Sequence, residues 1–206
     1  MAAYEHLIIT CPPHKAADVA ARIGDRAKAA TGGGRLFGIF APQIGLRINQ
    51  LVILREWADA ARIPVGAPDL LRDLGTTIDR HEIWDTAPRP EPGHLLAETD
   101  GYFSHRWFDC GEADWPRFQE LSVTAWENFE DVHATRVIGF WRARPRPAPG
   151  AVRVWLMAWY RDLAAWEGSR WYQASPDPAA RQSFERFRER RTLTTDSAVS
   201  IMRRVA

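Results

Sequence analysis

A proline-rich segment near the middle of the chain separates two halves that carry the same order of predicted elements. Residues 86–93 read TAPRPEPG, and three prolines with one glycine in so short a stretch are typical of a linker. On each side of this segment, hydrophobic periodicity predicts strand, helix, strand, strand, helix and strand in that order. A repeated order of elements predicts an internal duplication.

The boundaries of the predicted elements correspond between the halves. In the first half we expect strands at 6–11, 35–41, 46–57 and 78–85, with helices at 15–30 and 59–74. In the second half we expect strands at 102–110, 136–141, 152–161 and 197–204, with helices at 115–132, 163–172 and 179–190. Turns are expected at 31–34 and 144–150. Single residues correspond as well: Cys11 follows His6 by five positions, and Cys110 follows His105 by five.

The order β-α-β-β-α-β is that of a ferredoxin-like unit, which forms a four-stranded antiparallel sheet with both helices on one face. The other face of each sheet must be covered, and two such units can cover each other by closing into a barrel. We therefore expect an α+β fold of two fused ferredoxin-like repeats. Its predicted parts are a first repeat at 1–86, a linker at 87–94 and a second repeat at 95–206.

Side chains alternate between the two faces of a sheet, so each strand has one set facing the barrel and one set facing the helices. The predicted helix-facing sets are Leu7, Ile9, Cys11, Ile48, Val52, Leu54, Phe108, Cys110, Val154, Leu156 and Ala158. The predicted barrel-facing sets are His6, Ile8, Thr10, Arg47, Asn49, Leu51, Ile53, His105, Trp107, Asp109, Arg153, Trp155, Met157 and Trp159.

Composition excludes several classes of protein. Basic residues number 27 and acidic residues 26, so the chain lacks the basic surplus that a dedicated nucleic-acid partner requires. The arginine-rich run at 186–191 is interpreted as a solvated helix face or an inter-domain salt bridge. Two cysteines are too few for a disulfide scaffold or a four-cysteine zinc site, and we expect no metal. No apolar run is long enough to span a membrane and the start lacks a signal peptide, which predicts a cytoplasmic protein.

The segment 45–62 carries a recognisable pattern. Its sequence GLRINQLVILREWADAAR resembles the central signature of the NIPSNAP family. The residues that fit this signature are Gly45, Asn49, Gln50, Leu51, Val52, Asp59 and Arg62. Ile53 stands in place of the usual histidine, Arg55 in place of tryptophan and Trp57 in place of tyrosine. A looser version occurs at 155–166, which is consistent with a tandem duplication.

The NIPSNAP resemblance implies the dimeric α/β-barrel superfamily, and thus the barrel expected from the element order. Relatives in that superfamily include cofactor-free oxygenases, haem-dependent enzymes and lactone isomerases. The resemblance therefore implies a small-molecule partner, either hydrophobic or aromatic, and an oxygenase or isomerase without a cofactor is the leading interpretation. Haem stays open. The alternative is a non-catalytic module for ligand binding or protein interaction, in which the ten tryptophans fill a core or an oligomer interface.

The candidate site residues all belong to the predicted barrel-facing sets. His105 and Asp109 are the candidate catalytic residues, because histidine is the usual general acid or base near neutral pH. The candidate substrate-binding residues are His6, Arg47, Asn49, Trp107, Trp155 and Trp159, since an amide and a guanidinium among indoles suit a planar or acidic ligand. If His105 lines a cavity, its replacement by alanine should abolish ligand binding with little loss of stability.

Overall fold

Eight antiparallel strands close into one barrel. The computed structural model describes residues 2–30, 33–66, 68–144, 146–170 and 177–206. Parts of the turns predicted at 31–34 and 144–150, and the end of the helix predicted at 163–172, lie outside these described residues. The strands are β1 (Ala3–Thr10), β2 (Arg35–Ile44), β3 (Gln50–Trp57), β4 (Thr77–Thr86), β5 (Tyr102–Gly111), β6 (Thr135–Ala143), β7 (Ala151–Tyr160) and β8 (Thr194–Arg204).

The order of strands around the barrel is β1-β3-β2-β8-β5-β7-β6-β4. The first half contributes the strands β4-β1-β3-β2, and the second half contributes β8-β5-β7-β6. If the four strands of each half are numbered along the chain, both halves have the same spatial order, 4-1-3-2. Pairing of β2 with β8 and of β4 with β6 joins the halves. The expected α+β fold of two ferredoxin-like units closed into a barrel is confirmed. The repeat boundaries at 86 and 95 stay a prediction.

Four helices lie on the outside of the barrel in the part of the chain that the structure describes. They are α1 (Ala16–Ala29), α2 (Trp115–Val132), α3 (Leu163–Gly168) and α4 (Pro178–Thr192). The helix predicted at 59–74 is wrong. Among the described residues of this segment, two short 3-10 turns form instead, Ala60–Arg62 and Asp69–Leu71. Pro64, Gly66 and Pro68 interrupt the segment, and proline both lacks an amide donor and excludes a helical residue before it.

The predicted faces are correct for β1, β5 and β7 and wrong for β3. Leu51 and Ile53 pack with Leu7, Ile9 and the apolar face of α1, whereas Val52 and Leu54 lie in the barrel interior. Every residue of β3 is buried, because the barrel covers one face and α1 the other. At 51–54 both alternating sets are therefore apolar. Where both faces of a strand are buried, alternation alone does not show which residues face the barrel.

A glycine follows a shift in strand register at the equivalent place in each half. The pairing of β2 with β3 shifts register between Leu36 and Gly38, and the pairing of β6 with β7 shifts between Val137 and Gly139. Each glycine leaves room for the aromatic ring two positions later, Phe40 in one half and Trp141 in the other. The same device at the same strand supports the proposal of a duplication.

The segment between β4 and β5, which includes the predicted linker, covers one end of the barrel. Leu96 packs into the barrel interior, and the guanidinium of Arg204 on β8 donates to its carbonyl oxygen at 2.7 Å. The buried carboxylate of Glu56 pairs with Arg35 and accepts from the backbone N–H of Gly93 at 2.7 Å. The opposite end, where β1 ends and β3 begins, is called the barrel mouth below.

The glycine at 139 offers a test of this packing. A methyl group on Gly139 would lie inside the space of the Trp141 indole, so we expect Gly139→Ala to destabilise the fold by about 1–3 kcal/mol, as overpacking does. Urea unfolding measures this. Gly168→Ala is the control, because a methyl group there meets no other atom within 4 Å. Equal stability of the two variants would contradict the packing.

Candidate functional site

The barrel interior brings four of the predicted site residues together, namely His6, His105, Trp107 and Trp155. The rings of His6 and Trp155 have their centroids 4.6 Å apart, and those of His105 and Trp155 are 5.3 Å apart. Trp155 also stacks on Trp141 with a centroid separation of 4.3 Å. Aromatic rings thus surround both imidazoles, and side chains occupy the barrel around them.

Both imidazoles are neutral. Burial lowers the pKa of His6 to about 3, and burial together with the neighbouring His6 lowers the pKa of His105 well below its ordinary value. Neither ring forms a hydrogen bond with a described residue. The side chain of His105 is fully buried and its ring lies 4.9 Å from that of Phe40. The expected effect of replacing His105 by alanine stays a prediction.

The other predicted site residues lie elsewhere. Trp159 is half-buried at the linker end and donates from its indole nitrogen to the carbonyl oxygen of Asp100 at 2.6 Å. Asn49 lies in the turn before β3, where its amide donates to the carbonyl oxygen of Cys11 at 3.2 Å. Arg47 is exposed in the same turn. Asp109 lies at the barrel mouth. The structure therefore does not bring Arg47 and Asn49 to the tryptophans.

A cavity of about 280 Å³ lies outside the barrel, between the sheet of the second half and helices α2 and α4. Its described lining comprises Arg106, Phe108, Trp126, Phe129, Val137, Leu156, Ala158, Tyr160, Ser169, Arg170, Phe187, Arg190, Arg191, Thr194, Ser197, Ala198 and Val199. We call it the helix–sheet cavity. Its walls combine aromatic and aliphatic side chains with a few guanidinium groups, which is the usual composition of a small-molecule pocket.

Arg190 on α4 is the unusual residue of this cavity. Its side chain is 8% exposed, yet it forms no ion pair with any carboxylate in the described ranges. One nitrogen donates to the hydroxyl of Ser122 on α2 at 3.2 Å. The guanidinium carbon lies 4.8 Å from the ring centroid of Phe108 and 4.9 Å from that of Phe187. Burial lowers the pKa of Arg190 to about 9, which still leaves it charged at neutral pH.

Interpretation of the run 186–191 as a solvated face misses Arg190. A signal for its burial exists in the helical spacing. Ala180, Ser183, Phe184 and Phe187 are separated by three or four residues, and Arg190 continues the same stripe. All of these except Phe187 are buried, and Phe187 is half-buried against Phe129 and Tyr160. An arginine on the apolar stripe of an amphipathic helix is the feature that could have identified the cavity.

Comparison with known proteins supports the family resemblance over part of the chain. The family model named NIPSNAP matches residues 4–64. The NIPSNAP resemblance is confirmed for this segment. Its match ends within the first half, so a tandem duplication of the NIPSNAP unit stays a prediction. No curated protein matches the sequence significantly.

Solved structures share the architecture over nearly the whole chain. An anthrone oxidase-like protein is similar with a TM-score of 0.60 and 15% identity, covering 100% of this chain and 91% of that one. A chlorite dismutase from Candidatus Nitrospira defluvii has a TM-score of 0.60 and 8% identity, covering 99% and 92%. A ferredoxin-fold protein from Listeria monocytogenes, related to antibiotic biosynthesis monooxygenases, has a TM-score of 0.50 and 9% identity, covering 98% and 94%. At these identities the likeness shows the dimeric α/β-barrel fold alone.

The described lining of the helix–sheet cavity offers one side chain of a type that holds haem iron. Haem iron is held by histidine, cysteine, methionine or tyrosine, and the described lining contains only Tyr160 of these. The two buried histidines are enclosed by rings inside the barrel instead. Among the described residues, no three histidine, cysteine or acidic side chains form a group that could hold a metal ion. The helices of the described residues include none with the length and apolar character needed to cross a membrane.

The neutral imidazoles predict an acid-sensitive fold. An unfolded His6 takes up a proton below about pH 6.5, whereas the folded residue stays neutral down to about pH 3, so the free energy of unfolding falls as the pH is lowered between these values. A single such histidine contributes a slope of about 1.4 kcal/mol per pH unit. Urea unfolding of wild type and His6→Phe from pH 6.5 to 4 measures it. We expect the variant to show the shallower dependence. Identical slopes would mean that His6 is charged in the folded barrel.

Proposed function

We propose that this protein binds a small molecule with an apolar or aromatic body and one anionic group, and that the helix–sheet cavity is the binding site. The observation that carries the proposal is the buried guanidinium of Arg190, which faces the cavity without a carboxylate partner among the described residues. A carboxylate, sulfonate or phosphate on the ligand is the partner that such a group prefers.

The energetics favour an anionic ligand. A buried charge without a counter-charge is costly, and replacing buried ionic groups by apolar side chains often stabilises a fold. The Ser122 hydroxyl and the faces of Phe108 and Phe187 offset only part of this cost, since a guanidinium has five N–H donors and a hydroxyl accepts from one. An anionic group on a ligand would pair with the guanidinium and offset the cost of burying its charge. A buried arginine is therefore expected in a site that binds anions.

The lining supports binding more than chemistry. Proton abstraction requires a base within hydrogen-bond reach, and the described lining includes no carboxylate, histidine or cysteine. The oxygenase or isomerase interpretation therefore gains no catalytic group from this cavity. The predicted catalytic roles of His105 and Asp109 stay predictions. A ligand-binding module is the class that the geometry of the cavity favours.

Titration calorimetry with 2-naphthoate tests the proposal, with 2-naphthamide as the neutral ligand of the same shape. We expect wild type to bind the carboxylate about 10–100-fold more tightly than the amide, since a hydrogen bond to a charged group contributes about 1.5–3 kcal/mol. Arg190→Met should lose this preference and keep its affinity for the amide. Its stability should rise, because an unpaired buried charge is removed.

Arg188→Met on the exposed face of α4 is the matched control and should bind 2-naphthoate as wild type does. The proposal fails if wild type does not bind 2-naphthoate. It fails equally if Arg190→Met retains the preference for the carboxylate over the amide.

A further inference from the structure

The helix–sheet cavity has more cationic side chains in its wall than one carboxylate group can balance. Its described lining contains four arginines, Arg106, Arg170, Arg190 and Arg191, and no aspartate or glutamate. A carboxylate on a ligand supplies a single negative charge. The composition of the lining therefore favours a ligand group that carries more than one.

Arg106 on β5 is the second arginine that the fold directs toward Arg190. It lies two residues before Phe108, and residues two apart on a strand have their side chains on the same face of the sheet. The guanidinium carbon of Arg190 lies 4.8 Å from the ring centroid of Phe108. Arg106 and Arg190 are therefore both neighbours of one phenyl ring, the first along the strand and the second from helix α4.

The two positive charges act on each other. Burial lowers the pKa of Arg190, and the charge of Arg106 lowers it further. Like charges that face one cavity disfavour each other, whereas an anionic group between them is attracted to both. The attraction is strongest for a group that concentrates two negative charges at one place.

A phosphate monoester is the dianion that suits two neighbouring cations. It carries about 1.5 to 2 negative charges at neutral pH and has three acceptor oxygens on one phosphorus atom. A guanidinium group binds phosphate through two parallel N–H···O bonds. Ser197, which stands opposite Phe108 in the pairing of β5 with β8 and also lines the cavity, adds a hydroxyl donor. A dicarboxylate, in contrast, holds its two charges apart.

We propose, on the basis of the function proposed above, that the ligand of the helix–sheet cavity is a phosphate monoester of an apolar or aromatic alcohol. The phosphate group lies between Arg106 and Arg190. The body of the ligand packs against the apolar part of the lining, which includes Trp126, Phe129 and Leu156.

Titration calorimetry with 2-naphthyl phosphate and 2-naphthyl sulfate tests the charge requirement. The two esters have the same ring and a tetrahedral anionic group, but at pH 7.5 the phosphate carries nearly two negative charges and the sulfate carries one. We expect wild type to bind the phosphate about 10-fold or more tightly than the sulfate at this pH.

The same comparison at lower pH needs no variant. At pH 5.5 about three quarters of the phosphate groups hold one proton, so we expect the preference for phosphate over sulfate to fall by about 3- to 4-fold. The ionisable residues of the described lining are arginine and tyrosine, whose pKa values lie well above this range, so the change reports the charge of the ligand.

Arg106→Met tests the position of the second charge. We expect it to bind the two esters with affinities within about 3-fold of each other. It should keep the preference for 2-naphthoate over 2-naphthamide, because Arg190 is unchanged. Arg106→Lys keeps a positive charge and should retain part of the phosphate preference. Arg188→Met on the exposed face of α4 is the matched control and should retain all of it.

Two results overturn the phosphate ligand. They are equal affinity of wild type for the two esters at pH 7.5, and an undiminished phosphate preference in Arg106→Met. If 2-naphthoate still binds through Arg190 in either case, the proposed function stands and the dianionic ligand alone is wrong. If Arg106→Met does not fold, the affinities of wild type at the two pH values decide.

Discussion

The packing of aromatic rings around two neutral imidazoles is the constraint on which the rest of the structure depends. An eight-stranded barrel has an interior just wide enough for side chains to fill, and here Trp84, Trp141 and Trp155 occupy it together with His6 and His105. The segment between β4 and β5 covers one end of this core. The helix–sheet cavity consequently lies outside the sheet, and a second cavity lies at the barrel mouth.

Much of this architecture could be predicted because the repeated element order and the alternation in β1, β5 and β7 are local signals. In β1 and β5, the set of alternate residues that contains His6 or His105 includes polar side chains, whereas the other set is apolar. The difference shows which set faces the barrel. In β3 both sets are apolar, and the sequence does not show that the strand begins at Gln50. A shift of one residue exchanges the two faces, which is why Asn49 and Arg47 were placed inside the barrel.

The candidate sites were less predictable for a different reason. The helical stripe predicts that Arg190 is buried, but the sequence does not show that no carboxylate of the described residues pairs with it. Asp109 had the expected direction, but its engagement by Arg153 depends on the pairing of β5 with β7.

The helix–sheet cavity offers apolar walls with a buried cation. A crystal structure of the protein with 2-naphthoate tests most directly whether ligands bind outside a filled barrel. The account predicts the carboxylate within hydrogen-bond distance of Arg190 in the helix–sheet cavity, with the rings around His6 and His105 unmoved. A naphthalene ring inserted inside the barrel between Trp155 and the imidazoles would contradict it.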